Sequence, residues 1–471
     1  MRFFDVVLLG AGSAAESIWP HLPGKSVAVV EANRVGGECP FVSCMPSKAL
    51  LRSAQVRRLV SQAHTLGAVS SALVLDDGAQ AFAAAVQRRD RIVARRDDGD
   101  NAAELIRSGA VLYRGHGRVQ APGRLIVEDY SGVVEELSYG ELVVATGSSP
   151  VIPPIPGLDL VPTWVSDEAL SSFELPASLA IMGGGAVGCE LAQVYATFDV
   201  DTTIIEAADH LLPHEDPAVG EVLAEALQRS GVKIRTGAKL ARAEPHEVGA
   251  LLIMDTGAEL CASRVLVAVG RQPNVADLGL ETLGISPDTH ALEVDAQGRV
   301  IGVDHLWAVG DVTAIAPFTH TAGYQGRITA ANLQGGERRA DYRAIPRCVY
   351  TDPPVAAVGI TANEARSRGL EIREAAMPLN STARAASDGN DIGILNLIAD
   401  VRRGILVGAS IVGTGADEMI AEAALAIRAE MPISLLVDLV HAFPTYGEAY
   451  EPPLRQLLDL DTDDMPLVSG G

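Results

Sequence analysis

Apolar runs that end in glycine turns organise the first two thirds of the chain. The run DVVLLG at 5–10 enters GAGSAAESIW, and a second apolar run, SVAVVE, ends at Glu31. The same order recurs in SLAIMGGGAVGCELAQVY and DTTIIE, which ends at Glu206. Strand, glycine turn, helix and strand in this order are typical of a dinucleotide-binding unit. The sequence therefore predicts two such units in tandem.

Other patterns fill the regions between and after these units. Residues 54–110 have the apolar spacing of long amphipathic helices, and HLWAVGDV at 305–312 predicts one more buried strand for the first unit. From about residue 345, strand patterns in YTDPPVAAVG, ILNLIAD and GILVGASIVG precede helices at DEMIAEAALAIRAE and YEPPLRQLL. The predicted fold class is α/β, with two Rossmann-like dinucleotide-binding domains and a C-terminal α+β domain. The acidic tail at 459–471 is predicted to lack regular structure.

Composition narrows the classes of function. A net charge of −23 over 471 residues disfavours nucleic acid and anionic membranes as partners, and this favours a small-molecule substrate. No run of about 18 apolar residues predicts a membrane span. The N-terminal run lacks the basic segment and cleavage site of a signal peptide. We therefore expect a soluble, cytoplasmic enzyme.

The first glycine turn has the spacing that a dinucleotide needs. Gly10, Gly12 and Ala15 form GxGxxA, in which the first glycine permits the bend and the second lets the backbone approach a pyrophosphate. Ala15 is small enough for close packing of the helix on the strand. Glu31 lies 21 residues after Gly10, where a carboxylate can bind the adenosine ribose. A turn without a ligand is the alternative explanation, and the second copy argues against it.

The second glycine turn also indicates which coenzyme is used. Gly183, Gly185 and Gly188 repeat the pattern, and Glu206 takes the place of the ribose-binding carboxylate. The following residues, AADH, include no arginine that could bind a 2′-phosphate, so NADH is preferred to NADPH. The alternative is that Glu206 lies solvated at a strand end. A carboxylate there would still repel a phosphate.

Two of the five cysteines lie close together in GGECPFVSCMPSK. If a helix begins after Cys39, the sulfurs of Cys39 and Cys44 lie about one turn apart and can close a reducible disulfide. The helix N-terminus would favour a thiolate. Two unpaired structural cysteines are the alternative, and a redox pair suits the small number of cysteines better.

The stretch GGECPFVSCMPSK resembles the GG-x-C-x4-C-x-PSK signature of the flavin-dependent pyridine nucleotide-disulfide oxidoreductases, which include lipoamide dehydrogenase, glutathione reductase and mercuric reductase. The resemblance extends through VVATGSSP at 143–150, GGGAVGCE at 183–190, VAVGRQPN at 267–274 and AVGDV at 308–312. It implies an FAD domain of residues 1–150 and 268–345, an NAD domain of residues 151–267 and a dimerisation domain of residues 346–471. A homodimer using FAD and NADH is implied as well.

The same resemblance implies roles for individual residues. Cys44 would be the flavin-facing thiol in a charge-transfer contact, and Cys39 the interchange thiol that meets the substrate. Lys48 would pair with Glu190 beside the flavin N5, and Asp311 would bind the ribityl chain. The other predicted cofactor-binding positions in the two dinucleotide domains are Gly36, Gly37, Gly117, Ala145, Thr146, Gly147, Leu240 and Gly270. The remaining cysteines, Cys189, Cys261 and Cys348, are expected to be ordinary buried residues.

The C-terminal domain departs from the family pattern. Family members usually carry HPTxxE, whose histidine acts as acid and base towards the interchange thiol across the dimer. Here the segment is HAFPTYGE, and aligning Pro444 and Glu448 places Phe443 at the histidine. Phenylalanine carries no titratable proton, and loss of a general acid-base group typically costs about 10²–10⁴ in rate. His441 and Tyr446 are the candidates to replace it.

The sequence predicts an oxidoreductase that passes electrons from NADH through FAD and the Cys39–Cys44 disulfide to a disulfide or another acceptor. One alternative is a diaphorase-like enzyme that reduces quinones or metal ions directly from the flavin. A second is a carboxylating enzyme resembling 2-ketopropyl-coenzyme M carboxylase, which also has phenylalanine at this place but histidine where this chain has Glu448. A third is a non-enzymatic FAD-binding subunit, which the complete set Cys39, Cys44, Lys48 and Glu190 disfavours.

Overall fold

The computed structural model describes residues 1–459, and the predicted apolar runs form strands in it. The strands are β1 (Arg2–Leu9), β2 (Val27–Glu31), β3 (Val111–Arg114), β4 (His116–Ala121), β5 (Arg124–Glu128), β6 (Val134–Val144), β7 (Ser148–Pro150), β8 (Thr163–Trp164), β9 (Ser178–Met182), β10 (Asp201–Ile205), β11 (Lys233–Arg235), β12 (Leu240–His246), β13 (Gly249–Met254), β14 (Glu259–Ala262), β15 (Arg264–Val267), β16 (Arg271–Pro273), β17 (Leu306–Ala308), β18 (Arg347–Val349), β19 (Val355–Gly359), β20 (Ile372–Pro378), β21 (Ile394–Asp400) and β22 (Ile405–Val412).

Helices follow the predicted amphipathic and C-terminal segments. They are α1 (Ser13–Glu16), α2 (Cys44–Gln62), α3 (Gly78–Ile92), α4 (Gly99–Arg107), α5 (Ser166–Ser171), α6 (Ala186–Thr197), α7 (Pro217–Arg229), α8 (Thr319–Leu333), α9 (Ala362–Ser367), α10 (Ala383–Asp388), α11 (Ala416–Arg428), α12 (Ile433–Leu436) and α13 (Glu451–Leu457). Short 3-10 helices include Gly310–Thr313 and Tyr446–Tyr450. The tail predicted to lack regular structure lies, from residue 460, outside the described residues. No helix of residues 1–459 is long and apolar enough to cross a bilayer.

The described chain divides into two units. Unit 1 comprises Met1–Pro46, Gln87–Val151 and Gly270–Asp341, and unit 2 comprises Ser47–Val86, Ile152–Val269 and the described residues from Tyr342 onward. Unit 1 holds a seven-stranded sheet in which β3, β2, β1 and β6 are parallel neighbours and β17 also pairs with β6. The carboxyl ends of β1 and β2 lie at one edge of this sheet, where such sheets bind nucleotides.

Unit 2 contains a second parallel sheet in the order β11-β10-β9-β15-β8, an antiparallel sheet of β12-β13-β14, and a five-stranded antiparallel sheet in the order β18-β19-β22-β21-β20. Helix α11 packs against β19 and β22 of that last sheet. These elements confirm the predicted α/β class with two dinucleotide-type sheets and a C-terminal α+β domain. The three cofactor and dimerisation domains with boundaries near 150, 267 and 345 stay a prediction.

Cys261 does not lie in a core, contrary to expectation. It is exposed on β14, whose residues alternate between the two faces of the three-stranded sheet. A strand of this kind buries one face only, and Cys261 falls on the other face. Cys189 is buried as expected, and Cys348 is half-buried.

An aromatic cluster in unit 2 fixes the helices that follow the cysteine pair. The ring of Phe82 on α3 lies 5.8 Å from Tyr195 and 5.4 Å from Phe198, and Leu50 on α2 joins the same buried cluster. The Tyr195 hydroxyl donates a hydrogen bond to the carbonyl of Ala169 at 2.9 Å. Helices α2 and α3 are thereby packed on the second parallel sheet.

Replacing Phe82 with alanine should lower the free energy of unfolding of unit 2 by about 3–5 kcal/mol, because a fully buried ring is removed from between two others. Urea denaturation followed by circular dichroism measures this change. Val74→Ala is the matched control, since Val74 is almost wholly exposed and its loss should change the free energy by less than about 0.5 kcal/mol. Equal effects of the two substitutions would contradict the packing described.

Candidate functional site

The two cysteines lie on either side of the start of α2. The helix begins at Cys44 and not directly after Cys39. The N–H groups of Phe41 and Val42 donate to the carbonyl of Glu38, which forms a separate turn before α2. Both cysteines are half-buried. Cys44 is the first residue of α2.

One hydroxyl reaches both sulfurs. Thr319, the first residue of α8, donates a hydrogen bond to the sulfur of Cys39 at 3.2 Å. The same oxygen lies 3.5 Å from the sulfur of Cys44. All three residues belong to unit 1, and the structure therefore brings the predicted pair together around a side chain that was not predicted.

Glu190 is the most heavily bonded carboxylate described near the cysteine-bearing helix. Its two oxygens accept from the Lys48 ammonium at 3.0 and 2.9 Å, from the Ser47 hydroxyl at 2.6 Å and from the Tyr350 N–H at 2.9 Å. The Lys48 ammonium also lies 4.6 Å from the centre of the Tyr350 ring. These four residues belong to unit 2, and Lys48 follows Cys44 by about one turn of α2. The predicted pairing of Lys48 with Glu190 is present.

The first glycine turn holds a buried carboxylate on backbone donors. Glu31 accepts the N–H of Ala11 at 2.7 Å with one oxygen and the N–H of Asn33 at 2.6 Å with the other. Burial raises the pKa of Glu31, although the two backbone donors oppose that shift. Gly10 has φ +102°, and a Cβ there would lie 2.3 Å from the carbonyl oxygen of Ala145. Only glycine fits at this bend.

The second turn repeats this geometry. Glu206 accepts the N–H of Gly184 at 2.6 Å and the N–H of Ala208 at 2.7 Å, one with each oxygen. The residue is buried, so the alternative of a solvated carboxylate at a strand end does not describe it. Gly188 packs so closely that a Cβ would lie 2.0 Å from the carbonyl oxygen of Gly183. The sequence repeat is thus a structural repeat down to individual hydrogen bonds.

The middle glycine of each turn reveals room for a ligand. Gly12 and Gly185 both precede a helix with extended backbone, at φ −78° and −76°, which any residue can adopt. A Cβ at Gly185 would meet nothing within 4 Å, and one at Gly12 would meet only the Cα of Gly37 at 3.8 Å. The chain itself therefore does not require glycine there. A phosphate pressed against the helix N-terminus does require it, so the residues fit a dinucleotide at each turn.

Further predicted cofactor residues of unit 1 are tied together by hydrogen bonds. The Asp311 carboxylate accepts from the Ser148 hydroxyl at 2.6 Å, and Arg271 donates to Ser148 and to Glu38. Thr146 donates to the carbonyl of Asn274 at 2.6 Å. The Asp311 carboxylate is therefore oriented by a neighbouring hydroxyl, as a residue that binds a ligand hydroxyl needs to be.

The other predicted cofactor positions have different surroundings. Gly36, Gly37, Gly147 and Gly270 all have positive φ, and Ala15 and Ala145 are buried beside the first turn. Gly117 on β4 packs against Leu9, since a Cβ there would lie 2.4 Å from the Leu9 side chain. Leu240 is buried in an apolar cluster of unit 2. For Gly117 and Leu240 the chain's own packing already accounts for the residue type.

The segment HAFPTYGE at 441–448 presents an apolar ring. Phe443 is 74% exposed in the single chain. His441, two residues earlier, is nearly buried, with its Nε2 3.1 Å from a Glu422 oxygen and its ring stacked on Tyr450 at 6.3 Å. The Nδ1 of His441 is buried without a hydrogen-bond partner among the described residues. His441 is thus packed into its own domain.

Tyr446 and Glu448, the other two predicted residues of this segment, also make hydrogen bonds within the chain. The Tyr446 hydroxyl accepts from the Asn390 amide at 2.5 Å and donates to Asp388 at 3.3 Å, and burial raises its pKa. The Glu448 carboxylate accepts the N–H of Thr445 at 3.0 Å and closes the start of the 3-10 helix. The Glu448 carboxylate therefore orients backbone of its own segment.

Sequence reasoning missed Thr319, Tyr350, Ser47 and Glu422. Ser47 lies inside the quoted PSK stretch and could have been singled out as a hydroxyl beside Lys48. Thr319 stands 280 residues from Cys39 in the sequence, and no local pattern joins them. Among the described residues no cluster of three or more His, Cys, Asp or Glu side chains could hold a metal ion.

Comparisons with known proteins find relatives over nearly the whole chain. The family model described as pyridine nucleotide-disulphide oxidoreductase matches residues 4–326, and that family's dimerisation domain matches residues 345–453. Dihydrolipoyl dehydrogenase of Mycobacterium tuberculosis is 33% identical over 96% of this chain and 97% of its own length. Mercuric reductase of Acidithiobacillus ferrooxidans is 31% identical over 94% of this chain and 80% of its own length.

Solved structures resemble the chain over nearly its whole length. The Cu(II) complex of the HOCl-induced flavoprotein disulfide reductase RclA from Escherichia coli superposes with a TM-score of 0.85 at 29% identity, covering 97% of this chain and 100% of that one. The family resemblance, the dimerisation domain and the dependence on FAD and a pyridine nucleotide are thereby confirmed. The chain belongs to the pyridine nucleotide-disulphide oxidoreductase family and is a flavoprotein disulfide oxidoreductase.

Proposed function

We propose that this enzyme is a cytoplasmic, homodimeric NADH-dependent reductase that delivers electrons through Cys39 and Cys44 to an acceptor requiring no proton from position 443. Cys44 is the flavin-facing thiol, and Cys39 meets the acceptor. Asp311 and the residues around Thr146 hold FAD in the domain of residues 1–150 and 268–345. NADH binds within residues 151–267, and a second copy binds the domain of residues 346–471.

The observation that carries this proposal is the apolar, exposed ring of Phe443 where the family has an acid-base histidine. Neither neighbour is set up to replace that histidine. His441 is packed between Glu422 and Tyr450, and the Tyr446 hydroxyl is bonded to Asn390 and Asp388. The acceptor therefore takes electrons without an imidazole to protonate its leaving group.

The electron path is supported by the arrangement on α2. Bound FAD supplies the two-electron exchange between the nicotinamide coenzyme and a disulfide. NADH and one proton convert the Cys39–Cys44 disulfide to two thiols and release NAD⁺. Lys48 contributes a positive charge that Glu190 and Tyr350 hold in place, and a fixed charge of this kind favours an anionic, reduced flavin.

A soft metal ion is a second candidate acceptor. The structurally similar RclA was solved as a Cu(II) complex, and thiolates are the ligands that Cu(I) prefers. Two Cu(II) ions would each take one electron from the dithiol, which gives two Cu(I) ions, the disulfide and two protons released to solvent, with no organic leaving group to protonate. Quinones would be reduced directly by the flavin and not through the dithiol. The cysteine variants described below distinguish this path from reduction of either proposed acceptor.

The homodimer is supported by the surface of the C-terminal domain. Leu435, Leu439, Val440 and Phe443 all have large apolar side chains that are exposed in the single chain, and Val440 is 90% exposed. A cluster of this kind within nine residues is typical of a surface covered by a partner. It lies within the segment matched by the family's dimerisation domain.

Serine in place of either Cys39 or Cys44 should abolish NADH-driven reduction of lipoamide and of Cu(II), since each half of the disulfide is required. Steady-state oxidation of NADH with each acceptor measures this loss. Cys261→Ser is the control, because Cys261 is exposed on β14 of unit 2 and has no part in the proposed electron path, so its loss should leave both rates unchanged. Cu(II) reduction that survives in both variants would indicate transfer directly from the flavin.

Coenzyme choice should depend on Glu206 and not on its structural twin Glu31. NADH is expected to be preferred, and Glu206→Gln should raise kcat/KM for NADPH relative to NADH by about tenfold, since a like-charge contact near a surface costs on the order of 1–4 kcal/mol. Glu31→Gln should reduce retention of FAD and leave the coenzyme ratio unchanged. A native enzyme that prefers NADPH would refute the assignment of Glu206.

Phe443→His should raise the rate of NADH-driven lipoamide reduction at least tenfold. A general acid-base group usually contributes a factor of about 10²–10⁴ in rate, and an introduced histidine should recover part of that factor. Cu(II) reduction should not change. Phe443→Leu, which removes the ring without adding an imidazole, is the matched control and should stay slow with lipoamide. Fast lipoamide reduction by the native enzyme would mean that another group supplies the proton, and the acceptor proposal would fail.

A further inference from the structure

The hydroxyl of Thr319 occupies the space between the two reactive sulfurs. Its hydrogen bond to Cys39 is 3.2 Å long, and its distance to the Cys44 sulfur is 3.5 Å. Both lie within the range of hydroxyl–sulfur hydrogen bonds. Since a hydroxyl has one hydrogen, it can donate to only one sulfur at a time, and the shorter contact assigns that donation to Cys39.

Thr319 is held rigidly enough for this role. It opens the fifteen-residue helix α8, whose Gln325 accepts the N–H of Gly310 at 2.6 Å. A Cβ at Gly326 would lie 2.4 Å from the carbonyl oxygen of Ala14, so α8 packs tightly against the first glycine turn. The middle of α8 is therefore packed against α1, which follows the first glycine turn, and Thr319 begins this fixed helix.

We propose that Thr319 is a further catalytic residue, whose hydroxyl stabilises the Cys39 thiolate in place of the missing imidazolium. This inference rests on the proposed role of Cys39 as the acceptor-facing thiol. A hydrogen bond from a neutral donor to an anion is roughly twice as strong as one between neutral groups, and the helix N-terminus adds a favourable field. Phe443 supplies neither.

The chemistry of a hydroxyl differs from that of imidazole in one decisive way. A threonine hydroxyl does not give up its proton near neutral pH, so Thr319 can hold a thiolate but cannot protonate a leaving group. The Cys39 thiolate is thus kept reactive towards acceptors that accept electrons without a proton. Disulfides with poorly acidic leaving thiols remain slow. The role of Thr319 thus deepens the proposal on the acceptor. It gives a physical reason, within a single chain, for the preference for acceptors that need no proton.

Other charged groups near the pair must be held constant in any test. Glu38 precedes Cys39, and its carboxylate is paired with Arg271 at 2.6 Å. His320 follows Thr319, and its ring stacks on Phe318 with centroids 5.2 Å apart. Lys48 lies about one turn beyond Cys44 on α2. The contribution of Thr319 is therefore measured as a difference between variants that leave these four groups unchanged.

The test measures alkylation of Cys39 by iodoacetamide in the NADH-reduced, FAD-loaded enzyme as a function of pH, with peptide mass spectrometry to resolve each cysteine. Thr319→Val keeps the shape and removes the hydroxyl, so the midpoint of the Cys39 profile should move up by about one pH unit, equivalent to tenfold slower alkylation below the midpoint. Thr319→Ser restores the donor and should return the midpoint to its native position.

Thr321→Val is the matched control on the same helix. The Thr321 hydroxyl is buried without a hydrogen-bond partner among the described residues and does not contact either sulfur, so its loss should leave the Cys39 profile unchanged. An unchanged midpoint in Thr319→Val, or a shift that Thr319→Ser fails to reverse, would overturn the role of Thr319. Failure of the proposed function looks different: Cys39 would then be alkylated equally before and after reduction by NADH.

Discussion

The position of the first turns of α2 depends on hydrogen bonds to the buried Glu190 carboxylate. This carboxylate collects four hydrogen bonds from Lys48, Ser47 and the Tyr350 N–H, and so joins the start of α2 to α6 and to the strand end at β18. A buried carboxylate is stable only when such donors satisfy it. Four hydrogen bonds from three residues of unit 2 thus fix this carboxylate, and with it the ammonium group of Lys48.

A second constraint is imposed twice, once in each glycine turn. Glu31 and Glu206 use one oxygen for the backbone of the turn and the other for the residue two positions beyond them. Each carboxylate is thereby oriented before any ribose arrives, and the close glycines leave room for a pyrophosphate. The two turns differ little in this framework of backbone hydrogen bonds. The same supersecondary unit could therefore serve two different dinucleotides in a single chain.

Local patterns predicted the strands, both glycine turns and the class of the fold, since apolar periodicity and glycine spacing are properties of contiguous sequence. The pairing of Lys48 with Glu190 came only from family resemblance, because 142 residues separate them. The sulfur spacing was argued on the condition that a helix begins after Cys39, whereas α2 begins at Cys44. Cys261 was expected to be buried because cysteines usually are, whereas its burial depends on which face of β14 it occupies. No pattern in the sequence around Thr319 predicted its contact with the cysteine pair.

On the proposal that Phe443 stands where the family has histidine, the exchange changes which acceptors the dithiol can reduce more than whether the dithiol works. An imidazole couples two tasks, stabilising a thiolate and protonating a leaving group. A hydroxyl at the dithiol can perform the first task, and an apolar ring at position 443 performs neither. When thiolate stabilisation is kept and protonation of the leaving group is lost, the reduced cysteine pair is still nucleophilic. It then selects against acceptors that need a proton while they receive electrons. Specificity in this enzyme would then arise from the removal of a group, with the remaining machinery of the family kept intact.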